Sequence, residues 1–123
     1  MSDKQFTNFK AFWPFYVGEH THKLNRNLHF LGTALALLFI FEAIVQRDWH
    51  LLFFAPIAGY GFSWLGHFFV EKNRPATWRY PLWSLRGDAK MFYFMCTMRM
   101  DREVSRMKVL SIDITPPHPS LYP

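Results

Sequence analysis

A single cysteine, Cys96, stands in a chain of 123 residues. That excludes a disulfide framework and points to a reducing compartment, with Cys96 itself expected to be a packing residue. The sequence shows no internal repeat and no low-complexity tract. Its opening, MSDKQFTNFK, lacks the apolar core of a signal peptide, so none is expected there. Charge is scarce over two long stretches. Residues 28–45 carry only His29 and Glu42 as acidic or basic groups, and residues 49–70 hold only His50 and His67, near their ends.

What fills the chain instead is apolar. Half of the residues are hydrophobic and a fifth are aromatic, including fourteen Phe and five Trp. A soluble domain of this size buries a limited share of its surface and has little room to hide so many rings. Each uncharged run approaches the length needed to cross a hydrocarbon core of about 30 Å. Neither shows a polar face at helical period, which argues against a soluble pair of helices with a greasy core. The expected fold is therefore all-α: an integral membrane hairpin of two spans, flanked by amphipathic interfacial helices. A single helical membrane domain over residues 1–108 and a flexible tail over 109–123 are expected.

Basic residues set the orientation. Lys4, Lys10, Lys23 and Arg26 precede the first run; Lys72, Arg74, Arg79, Arg86 and Lys90 follow the second. The connecting turn has only Arg47, beside Asp48. The positive-inside rule puts both termini in the cytoplasm: at the inner membrane of a bacterium or the endoplasmic reticulum of a eukaryote. The net charge of +5 then reflects contact with membrane lipid, and no nucleic-acid partner is expected. Trp13, Trp78, Tyr80 and Trp83 are expected to anchor at the interface.

The turn also fixes a register. Centred near residues 47 and 48, it pairs positions whose numbers sum to about 95 or 96, so His29 faces His67, Gly32 falls near Ser63 and Ala36 near Gly59. Before the first span, Phe6, Phe9, Trp13, Tyr16 and His20 form one helical stripe, which Pro14 either kinks or restarts. Residues 21–24 read as a short connection, with Asn25 or Asn27 as cap of the span. His20, His29 and His67 should thus meet at the cytoplasmic mouth. Asn25 lies one turn before His29, and Glu71 one turn beyond His67 if the α-helix persists. His22 joins only if the span starts early; His50 is at the opposite end, and His118 lies in the tail.

Imidazoles with a carboxylate suit a divalent ion. Two histidines and a carboxylate with open positions fit non-haem iron and dioxygen; three histidines and a water fit zinc hydrolysis. The residues alone allow Fe2+ or Zn2+, and they also allow a non-catalytic hairpin that assembles partners or organises lipid. Further along, 74–81 should be an irregular surface stretch able to cover the site. Gly87 reads as a turn residue, and Asp88 as the cap of a helix from 89 to about 107.

Two segments together resemble the 2-hydroxy-fatty-acid dioxygenase-like family of small membrane proteins. They are YVGEHTHKLNRNLHFLGT and GYGFSWLGHFFVEKNRPATWRYPLWSLRGD, with Tyr16, His20, Asn25, His29, Gly66, His67, Glu71, Pro75 and Ala76 at the pattern positions. The resemblance spans residues 10 to 105 approximately. It implies an iron(II)-dependent membrane enzyme that uses dioxygen to remove one carbon from a 2-hydroxy long-chain fatty acid. His20, His29 and His67 would be the ligands. Glu71 would be a fourth ligand or an orienting group, Asn25 a catalytic-site neighbour, and His22 a candidate further ligand. Arg74 or Lys72 would hold the substrate carboxylate.

Overall fold

The computed structural model describes residues 6–114. All of its regular elements are helical. Helix α1, Phe9–Gly18, starts at Asn8, whose side chain accepts from the Ala11 amide at 2.8 Å. Pro14 sits inside α1 without ending it. Helix α2, Lys23–Gln46, stops where Arg47 adopts a left-handed conformation, φ 51°. A short 3-10 turn, Trp49–Phe53, leads into α3, Phe54–Leu65, which widens into a π-helical turn at Gly66–Glu71. Together these return along α2 as the second arm of a hairpin. After a 3-10 turn at Ala76–Trp78 come α4, Pro81–Cys96, and α5, Met100–Ile114.

The hairpin closes along the expected seam. A Cβ placed on Gly59 would lie 3.8 Å from Ala36 Cβ, and one on Gly32 would lie 3.0 Å from the carbonyl oxygens of Ala58 and Gly59. Gly32 thus meets Ala58, Gly59 and Phe62 rather than Ser63, a shift of about one residue. Absent side chains let the two backbones touch. Both arms are long and apolar enough to cross a membrane: the 18-residue windows within Lys23–Gln46 and Trp49–Glu71 reach mean hydropathies of 2.1 and 1.2. Only 17% and 22% of those windows are buried, so neither arm is a core helix.

The true core lies beyond the hairpin's open end. Phe12, Trp13, Tyr16 and Val17 of α1 pack with Met91 of α4 and with Met100 and Val104 of α5. Trp13 is therefore no membrane anchor: it is 3% exposed, and its indole N–H donates to Glu103 at 2.8 Å. An amphipathic helix carries the same stripe whether it covers lipid or other helices. Trp78, in contrast, is exposed.

Five further expectations give way here. The helix expected over 89–107 is two helices, parted where Met98 takes φ 57°, and α4 begins at Pro81, whose ring suits a first helical position. Asp88 is consequently no cap, and Gly87 no turn residue: a Cβ there would lie 2.8 Å from the Tyr16 ring, so glycine lets α1 press on α4. Helix α2 starts two residues before Asn25, with His22 at its cap. Cys96 is exposed. Of the expected tail, 109–114 continue α5, and 115–123, with His118, lie outside the described residues.

Gly32→Ile should therefore loosen the hairpin by about 1–3 kcal/mol through overpacking. Gly61→Ala, where a Cβ meets nothing within 4 Å, should be near neutral. Thermal unfolding followed by circular dichroism in detergent distinguishes the two.

Candidate metal centre

Three helical pieces deliver one histidine each. His20 follows the end of α1, His29 lies in the second turn of α2, and His67 sits in the π-helical turn. All three are buried, at 1%, 4% and 2% exposure. Their candidate ligand atoms lie within 4.8 Å of one another. The rings meet edge to face, with centroids 4.5, 4.6 and 4.8 Å apart.

The outer nitrogens are tied down. His20 Nδ1–H donates to the Tyr16 carbonyl at 2.6 Å. His67 Nδ1–H donates to Asn73 Oδ1 at 2.6 Å, while the Asn73 amide donates to the Glu19 carboxylate and carbonyl at 2.6 and 3.1 Å. His29 Nδ1 lies 3.9 Å from Asp88 Oδ1. The hydrogen bonds of His20 and His67 put their protons on Nδ1, which turns their Nε2 lone pairs inward. His29 Nε2 and His67 Nε2 are 3.1 Å apart, and the buried His20 Nε2 has no hydrogen-bond partner. At that distance the two rings either share one proton in a hydrogen bond or turn both lone pairs toward one ion. Two bonds of about 2.1 Å meeting at about 90° on one ion would set the donors about 3 Å apart. The donor set thus fits a divalent ion.

Burial adds the correct charge state. The His20 imidazole is pushed down to about 3, chiefly by desolvation and then by His67, so it stays neutral and free to ligate near pH 7. Asp88 is pushed up to about 6 by burial, with the Tyr16 hydroxyl donating to it as a lesser, opposing influence. Tyr16 also stacks on His20, centroids 4.1 Å apart. The cavity these groups share with Ser63, Trp64, Pro75 and Ser84 has a volume of about 10 Å³. That admits one water-sized occupant.

The remaining expected residues stay outside this cavity. His22 is exposed, and its backbone N–H donates to a Glu71 carboxylate oxygen. Glu71 also accepts from the Thr21 hydroxyl at 3.3 Å. It sits four residues after His67, but in a turn closed by i→i+5 bonds residue i+4 no longer stacks over i. Glu71 therefore clamps the turn that carries His20 instead of facing the histidines. Asn25 is fully buried against Gly66, where a Cβ would collide with its side-chain oxygen. Lys72 and Arg74 are exposed. His50 lies at the far end beside Asp48, as expected. Of 74–81, Pro75, Ala76 and Thr77 do wall the cavity.

Sequence reasoning missed Asn73, Asp88 and Arg26. Arg26, 5% exposed, donates to the carbonyls of His20 and Thr21 at 2.9 and 2.7 Å and to Asp101 at 2.7 Å. It looked like one more positive-inside residue. Asn73→Ala should leave three histidines but release the His67 ring. Affinity for a divalent ion should fall about tenfold to a hundredfold, read by competition with a chromophoric chelator.

No curated protein and no solved structure matches the chain. Residues 6–100 match the family described as 2-hydroxy-palmitic acid dioxygenase Mpo1-like, and the chain belongs to that family.

Proposed function

We propose that this protein is an integral membrane, iron(II)-dependent dioxygenase that shortens a 2-hydroxy long-chain fatty acid by one carbon. One observation carries the reading: three buried imidazoles converge, with the Nε2 atoms of His29 and His67 facing each other and that of His20 partnerless beside them, while His20 and His67 are tied at Nδ1. The family description supplies the substrate class and the use of oxygen. The apolar residues exposed along both arms, among them Phe41 at 60%, Ile57 at 66% and Phe69 at 73%, favour a lipid surround over water.

In this reading the ion, when bound, supplies the activation of dioxygen. The chain's own residues do the rest. Tyr16, Asn73 and Asp88 hold the three rings in one tautomer. Arg26 and Glu71 hold the 19–22 turn, and through it His20. Burial keeps bulk water from the cavity, which strengthens every charge interaction inside. Lys72 and Arg74, exposed at the same end, draw an anionic headgroup toward the membrane surface.

The test is direct. Protein purified in detergent and loaded with iron(II) should convert 2-hydroxyhexadecanoate to a product one carbon shorter, only with oxygen. His20→Ala, His29→Ala and His67→Ala should each lose bound metal and at least about a hundredfold in rate, the size of effect seen when groups that position a reaction are removed. Unchanged metal content in all three variants would end this reading. Turnover without oxygen would favour a zinc-dependent hydrolase instead.

A further inference from the structure

Beside the histidine cavity runs a second, larger hollow. It is a groove of about 360 Å³ between the hairpin and α4, bordered by Ala36, Leu37, Ile40, Ala55, Pro56 and Leu85. Its volume falls in the range of about 300–1,000 Å³ typical of small-molecule sites. The groove and the histidine cavity adjoin: Tyr60, Ser63 and Asp88 line both. Polarity is graded along it. The shared end carries a hydroxyl, a phenol and a carboxylate, while the far end is purely apolar. From Thr33 to Ile40 it follows seven residues of α2, about 10 Å of helix.

The cavity end holds two further clues. Trp64 Nε1 and Ser84 Oγ are buried there without hydrogen-bond partners, and Ser84 is 1% exposed. With His20 Nε2 this makes three partnerless polar atoms around one small space. Each is costly to leave unpaired in the interior, because the water it gave up is not replaced. Such a cost fits a space built to receive polar atoms. One is explained by an ion at the histidines; an indole N–H and a hydroxyl are not metal ligands here but donors to oxygen.

We propose that the groove seats the hydrocarbon chain of the substrate, with Trp64 and Ser84 donating to an oxygen of its headgroup at the histidine end. The inference rests on the proposed function for the identity of the amphiphile. It moves recognition of the headgroup from Lys72 and Arg74 to two uncharged donors inside the fold. The apolar segment bordered by Leu37, Ile40 and Leu85 then measures the chain. A membrane phospholipid is the rival occupant, and the test separates it.

Metal-free protein in detergent is mixed with 2-hydroxyhexadecanoic acid bearing a diazirine near its methyl end and irradiated, and labelled peptides are mapped by mass spectrometry. Labelling should concentrate on Leu37, Ile40 and Leu85, and excess unlabelled 2-hydroxy acid should suppress it at least tenfold. Phosphatidylcholine should not. Leu85→Trp should reduce labelling at least fivefold. Ser84→Ala should weaken competition by the hydroxy acid about tenfold without changing the affinity for metal. Labelling spread evenly over lipid-facing residues such as Phe41 and Ile57, or suppressed equally by phospholipid, would overturn the proposal. Because no turnover is required, the two readings separate. Groove labelling without oxidation counts against the proposed reaction alone, and oxidation with labelling elsewhere counts against the groove alone.

Discussion

Two imidazole nitrogens 3.1 Å apart, with both rings buried, are the constraint around which this fold is arranged. Without an ion, one ring must give its proton to a hydrogen bond with the other, and a third partnerless nitrogen beside them adds a desolvation cost. Yet the surrounding chain holds them there. A backbone carbonyl, an asparagine and an aspartate sit behind the three rings. These come from α1, the loop after the π-helical turn, and α4, so most of the described elements converge on one point. Agreement among so many separate segments is hard to account for by packing alone. A divalent cation would fit all three nitrogens at once, and it requires neutral imidazole, which burial enforces at His20.

The rest of the molecule reads as support for that point. The hairpin needs glycine at Gly32 so that its arms touch and bring His29 level with His67. Helix α1 needs Gly87 on α4 so that Tyr16 can lie against the helix, stack on His20 and reach Asp88. Arg26 and Glu71 pin the turn between α1 and α2 from opposite sides. The core of Phe12, Trp13, Met91 and Val104 sits at one end of the hairpin as a rigid lid. Its own stability comes from aromatic area and from the Trp13–Glu103–Arg106 bonds at 2.8 and 2.7 Å, not from metal.

Much of this was legible in the chain. The facing of His29 and His67 follows from the position of the turn at 47 and 48, a purely geometric argument that needs no knowledge of the site. His20 follows from the stripe of Phe9, Trp13 and Tyr16. The residues that escaped did so for physical reasons. Glu71 was expected to stand over His67 because α-helical period was assumed, and the π-helical turn rotates it away. Asp88 was hidden because a short polar residue after glycine has the look of a cap, whereas Pro81 had already begun the helix. Asn73 acts from a loop whose path no periodicity describes. Trp13 carries the same signal as a lipid anchor, since an apolar stripe does not say what covers it.

The central claim is that His20, His29 and His67 bind one ion together, and X-ray absorption on iron- or zinc-loaded protein tests it most directly. The account predicts a first shell of light donors at about 2.0–2.2 Å, with the outer-shell scattering of three imidazoles, dropping to two in each single His→Ala variant that still folds. A shell of oxygen donors without imidazole scattering, or one unchanged by those substitutions, would contradict it.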